Sequence, residues 1–148
     1  GFVRKLTELR ARHPVLRRPH FFRGTQIRGT NVKDIVWLQP EGREPTEADW
    51  AFTEARCLGF LLGGDAGELF YSPAGRQELD DGFIVLLNAF HEGVPFVLPP
   101  AEMGRQWTLL LDTARPDAEG ERHDAGATYP LADRSLVLLR RVGDLIGA

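Results

Sequence analysis

The chain has 148 residues, 43% of them hydrophobic and 26% charged, with a formal net charge of -3. This is the size of one ordinary domain, able to bury roughly 70% of the surface its unfolded chain exposes, and the composition excludes the disordered class. The slight acidic excess and scattered arginines speak against a nucleic-acid partner, and no apolar run approaches the roughly 20 residues of a membrane-spanning helix.

From Phe2 to Arg12, apolar side chains at Phe2, Val3, Leu6 and Leu9 recur at helical spacing, with Arg4, Lys5, Glu8 and Arg10 on the other side. This predicts a surface helix ending near His13, because Pro14 disfavours helical geometry in the residue before it. A helix this short is marginal alone, so its apolar face must rest on something. Gly1 is not an initiator methionine, and the only methionine is Met103; the chain is therefore expected to be cut from a longer protein. The single cysteine, Cys57, excludes an internal disulfide and cannot by itself hold zinc. A cytoplasmic location fits.

Beyond the helix the pattern changes to short apolar segments separated by turn residues. Strands are expected at 21–23, 34–38, 56–63, 83–89, 94–98, 106–112, 128–131 and 135–140. With no long helix between them, they predict a mainly β fold: an antiparallel β-sandwich of about seven to eight strands preceded by one N-terminal helix. Residues 88–94 read as a hairpin turn. The strand after it carries Pro95, which argues for an edge position because proline cannot donate to a ladder. In the loop 39–55, Thr46 is placed to cap a short helical turn, with Asp49 reaching back to it. The loop 116–127, rich in Asp, Glu, Gly and Ala, reads as a mobile surface excursion.

No catalytic, metal or cofactor-binding set emerges. Asp80 and Asp81 are adjacent, which does not suit a glycosidase pair held several ångströms apart across a bond. His13, His20, His91 and His123 are spread along the chain without metal-ligand spacing. Neither Ser72 nor Ser135 sits in a nucleophile elbow, and the glycine-rich 63–67 lacks a following Lys-Ser/Thr. Cys57 reads as a buried strand residue. Among the tryptophans, Trp37 and Trp107 lie in apolar runs and read as core. Trp50, in a polar loop, is the candidate for contact with a partner domain or a glucan, with capping of the domain's own core an equal alternative.

The order of short motifs resembles the end of bacterial glycogen debranching enzymes of the isoamylase type, in the α-amylase superfamily. The resemblance is carried by His13-Pro14-Val15-Leu16, Phe21-Phe22, the run from Val32 to Leu38, Asp49-Trp50 and Cys57-Leu58-Gly59. It continues through Asp80-Asp81, Leu86-Leu87-Asn88-Ala89, Val94-Pro95-Phe96, the run from Leu110 to Pro116, and Arg134-Ser135-Leu136-Val137-Leu138-Leu139. Phe90 and Gly93 depart from the pattern, and 68–77 matches nothing firmly. The resemblance implies a parent that hydrolyses α-1,6 branch linkages in glycogen or limit dextrin on a (β/α)₈ barrel whose catalytic carboxylates lie outside this sequence. It implies residues 1–14 as a helix at the end of that barrel and 15–148 as a carboxy-terminal sandwich. The sandwich would be a non-catalytic support packed on the barrel through Phe2, Leu6 and Leu9, with carbohydrate binding through loop aromatics as the alternative.

Overall fold

The computed structural model describes residues 1–13, 35–51, 56–62, 70–71, 77–78 and 82–142. Helix α1 spans Phe2–Arg12 and ends at His13, whose extended backbone (φ -114°, ψ 102°) matches what Pro14 demands. The strands are β1 (Ile35–Leu38), β2 (Cys57–Leu62), β3 (Phe70–Tyr71), β4 (Gln77–Glu78), β5 (Phe83–Asn88), β6 (Val94–Val97), β7 (Gln106–Asp112), β8 (Arg122–Asp124), β9 (Thr128–Leu131) and β10 (Ser135–Arg141), with the short helix α2 (Glu47–Ala51) after β1. Seven of the expected strands are present to within two residues at either end. The expected strand 21–23 lies outside the described residues, as do Asp80, Asp81, His20 and Ser72.

The strands form an antiparallel β-sandwich. One layer is a six-stranded sheet in the order β1-β2-β5-β10-β7-β8; the other is the pair β6-β9, and β3-β4 is a separate small hairpin. Alternation along each strand sends Val36, Leu38, Leu61, Ile84, Leu86, Trp107, Leu109, Val137 and Leu139 of the large sheet toward Phe96, Leu98, Tyr129 and Leu131 of the small layer, and together these make the main core. Trp107 is fully buried there, as its apolar run predicts.

Gly59 shows how tightly the layers meet. A Cβ at this position would lie 2.8 Å from Phe96 Cζ and 3.0 Å from Leu86 Cδ2, so the opposing phenyl ring rests on bare backbone.

Residues 88–94 do not make a hairpin. β5 pairs with β2 and β10, whereas β6 pairs with β9, so this segment is an arch from one layer to the other. The turn 132–134 makes the return crossing, with Arg134 at φ 46° and its N–H donating to Phe90 O. Buried Asn88 ties the two arches together. Its Nδ2 donates to Glu92 O and Ala132 O, both at 3.0 Å, and its Oδ1 accepts from Phe90 N–H at 2.9 Å.

Pro95 stands where its missing donor does no harm, as the edge expectation requires. It faces Pro130 across the β6-β9 pair, and the next outward-directed amide, Val97 N–H, bonds Pro40 O at 2.7 Å. The segment 116–127 is no free excursion. After a 3₁₀ turn at Pro116–Ala118, it returns as β8 against β7, and Leu109 N–H donates to Glu121 O while Gly120 N–H donates to Leu109 O.

Candidate docking surface

The outer face of the six-stranded sheet is apolar over β1, β2, β5 and much of β10, and polar at its β7-β8 end, where Arg140, Thr108 and Arg122 lie in register. Register places Trp37, Phe60, Val85 and Leu138 in one row across β1, β2, β5 and β10, and Leu58, Leu87 and Leu136 in another. A sandwich face turned to water normally carries polar side chains at these positions. Part of the face is closed into a second cluster of Leu62, Phe83, Leu111 and Leu138, against which Leu9 packs from α1.

Helix α1 touches the sandwich along a thin stripe. Lys5 Nζ lies 2.7 Å from Glu119 Oε2, Leu9 meets the second cluster, and the His13 ring meets Phe83 edge-on at 4.8 Å. No residue of the helix is buried. Phe2 is 54% exposed, Val3 72% and Leu6 38%. Around the axis Phe2 lies within about 20° of Leu9, but about 10.5 Å from it along the helix. Of the three residues singled out on this helix, Leu9 therefore turns to the sheet, while Phe2 and Leu6 stay open to solvent.

The tryptophans divide differently from the sequence reading. Trp37 is not core: it stands on the outer face, 38% exposed, with Phe60 beside it at 5.5 Å and an interplanar angle of 59°. The run Ile35-Val36-Trp37-Leu38 reads as uniformly apolar, yet only Val36 and Leu38 face inward. Trp50 belongs to α2, and its side chain lies outside the described residues. The start of that helix is the reciprocal cap expected from sequence. Thr46 N–H donates to Asp49 Oδ2 at 2.8 Å, and Asp49 N–H to Thr46 Oγ1 at 3.3 Å. Arg43, 2.7 Å from Asp49 Oδ2, is the largest influence holding that carboxyl well below the usual carboxylate range, with the Thr46 amide next.

The most connected polar group was not foreseen. The Asp112 side chain, 1% exposed, accepts from Tyr129 OH at 2.5 Å, from Ala114 N–H at 2.9 Å and from Arg115 Nε at 3.3 Å. Arg115 also reaches Tyr129 OH at 2.8 Å and both Glu121 oxygens, at 2.9 and 3.2 Å, and His123 meets Glu121 at 3.3 Å. Burial, then the hydrogen bond to Asp112, raises the Tyr129 phenol above its ordinary range; Arg115 lowers the Glu121 carboxyl. Every polar member is aimed at another, leaving no group poised toward a substrate, so the cluster is a tie between β7, β8 and β9. Its sequence signal was the Asp-Thr-Ala-Arg-Pro turn, legible as a motif but not as a contact with Tyr129.

Cys57 is partly buried in β2, and burial pushes its thiol up to about 11 from 9.0. At pH 8 the thiolate fraction, and the alkylation rate by iodoacetamide, should be about a hundredfold lower than for a thiol at the unshifted value. The sign for stability follows: a raised folded-state pKa favours the fold below pH 9 and loses that advantage as pH climbs toward 11. Alkylation at the rate of a free thiol would contradict this. Among the described residues no three His, Cys, Asp or Glu side chains are grouped to hold a metal, and no helix is long and apolar enough to cross a membrane.

Residues 34–140 match the family model described as "Isoamylase, C-terminal". The chain is 41% identical over 145 residues to the "Glycogen operon protein GlgX homolog" of Mycobacterium tuberculosis, covering 95% of this chain and 20% of that protein. It is 26% identical to the "Isoamylase" of Pseudomonas amyloderamosa, covering 93% of this chain and 17% of the relative, and 24% identical to the "Isoamylase" of Flavobacterium. The chain thus spans about a fifth of the length of the curated relatives it matches.

Proposed function

From the premise that this chain belongs to the isoamylase carboxy-terminal domain family, we propose that it is the non-catalytic accessory domain of a glycogen-debranching hydrolase. In this reading the parent cleaves α-1,6 branch linkages of glycogen or limit dextrin in the cytoplasm, on a (β/α)₈ barrel. Residues 1–14 close that barrel and 15–148 form the sandwich that packs on it and stabilises it. The partner is the barrel of the same parent chain, and α-glucan is met through the parent.

The observation that carries the reading is helix α1. An eleven-residue helix without one buried residue is poorly held by this domain alone, and it presents Phe2, Val3 and Leu6 to solvent. Apolar residues at this spacing suit insertion into a groove on a neighbouring body. The relatives are about five times longer than this chain, which leaves room for such a body.

A double substitution Phe2→Glu and Leu6→Glu tests it. In a longer protein carrying barrel and sandwich, the expected cost is about 2 kcal/mol or more, read as a lowered unfolding temperature of the barrel. In the 148-residue chain the same change should stay within about 0.5 kcal/mol. Equal, small effects in both would remove the support for packing through this face.

A further inference from the structure

We propose that the ion pair between Lys5 and Glu119 is a clasp that fixes the angle of helix α1 on the sandwich, and with it the place of Phe2 and Leu6; only its use in seating a barrel rests on the reading above. Among the described contacts, α1 and its cap reach the sandwich through Lys5, Leu9 and His13, each four residues after the last. Helix geometry sets these points about 6 Å apart along the axis and turns each about 40° from the one before, so they form one slowly winding stripe. Leu9 and His13 hold the carboxy-terminal half. In the amino-terminal half, where Phe2, Val3 and Leu6 stand exposed, the attachment among the described residues is Lys5. Released there, the helix would pivot about Leu9.

An exposed ion pair usually contributes little, because two long side chains must be ordered to make it. Here one partner stands on a fixed mount. Glu119 follows the 3₁₀ turn Pro116–Ala118 and has an anchored residue on either side: Ala118 packs against the main core, and Gly120 N–H donates to Leu109 O at 2.8 Å. Leu109 N–H in turn donates to Glu121 O at 2.7 Å, and Arg115, whose Nε is 3.3 Å from buried Asp112, spans the turn to both Glu121 oxygens. The polar tie of Asp112, Tyr129 and Arg115 thus has an outlet: it holds the short turn whose carboxylate meets the helix. The Lys5 side chain is 30% exposed, and its Nζ lies 2.7 Å from Glu119 Oε2, the spacing of a charge-assisted hydrogen bond. The two residues are 114 apart in sequence, so the contact belongs to the tertiary arrangement and not to the helix itself.

The test is amide hydrogen exchange of the 148-residue chain, read at residues 5–9 of α1 and, as an internal reference, along β5 and β10. An eleven-residue helix is marginal without support, so release from the sandwich is read as faster exchange. Glu119→Lys lies outside the helix and on the surface, and leaves helix propensity and core untouched. It is expected to speed exchange in α1 about threefold, the scale of a partly exposed ion pair turned into repulsion, with the reference strands unaltered. Lys5→Glu alone should also speed it, whereas the two changes together restore opposite charges and should bring the rate back toward that of the unmodified chain. Asp117→Lys makes the same charge change two residues from Glu119 and should leave α1 as it is. Unchanged exchange in Glu119→Lys, equal acceleration by Asp117→Lys, or a reversed pair no better than the single changes overturns the proposal. Exchange is read without a barrel, so this outcome is separate from that of the Phe2→Glu and Leu6→Glu double substitution in the longer protein.

Discussion

Asp112→Ala is expected to destabilise the domain by about 2–4 kcal/mol, because it removes the acceptor of the buried Tyr129 hydroxyl and of the Ala114 amide, whereas half-exposed Arg115 keeps Glu121. The magnitude follows from what is left behind. Three donors converge on this carboxylate: the Tyr129 hydroxyl, the Ala114 amide and Arg115 Nε. Tyr129 is fully buried, so its hydroxyl would keep only Arg115, itself a donor, as its neighbour in the cluster. Asp112→Asn separates charge from shape. It preserves volume but turns an acceptor into a mixed group facing donors, and should recover less than half of the loss. Tyr129→Phe, which leaves Asp112 its other two partners, should cost about 1–2 kcal/mol. Urea unfolding of the three variants gives the order directly. A Tyr129→Phe loss as large as that of Asp112→Ala would mean that packing of the ring, not the carboxylate, holds β7 to β9.

Gly59 and Phe96 should show strong non-additivity. Gly59→Ala puts a methyl 2.8 Å from Phe96 Cζ and 3.0 Å from Leu86 Cδ2, and overpacking of this kind costs about 1–3 kcal/mol. Phe96→Ala opens the space between the layers instead, at about 3–5 kcal/mol. The informative variant is Gly59→Ala with Phe96→Leu, which withdraws the clashing end of the ring. Its destabilisation should fall below the sum of Gly59→Ala and Phe96→Leu measured separately by about 1 kcal/mol, within the range of coupling between residues in contact. Strict additivity would show that the methyl is relieved by backbone movement rather than by the ring.

Local features were legible wherever one segment contained the whole interaction. The helix Phe2–Arg12 and its stop needed only periodicity and Pro14, and the Thr46–Asp49 cap lies within four residues. Strand positions followed from apolar runs bounded by turn residues, and Pro95 correctly announced an edge. The errors share one cause. The turn chemistry of 88–94 suits a hairpin and an arch equally; what selects the arch is that Asn88 reaches Ala132, 44 residues away, and that β5 finds partners in β2 and β10. The polar composition of 116–127 suggested mobility, yet Arg115, Glu121 and the pairing with β7 order it. Trp37 was misplaced because a wholly apolar strand does not reveal which of two apolar faces is covered.

The sequence by itself determined the class of this domain, its family and the place of seven of the ten described strands, missing β3, β4 and β8, because alternation, punctuation and motif order are properties of neighbouring residues. Tertiary structure alone decided which strands pair, that Asp112 and Tyr129 meet, that Leu9 is covered while Phe2 and Leu6 are open, and that Trp37 faces outward. Those outcomes depend on groups far apart along the chain competing for the same partners, and only the folded arrangement settles such a competition.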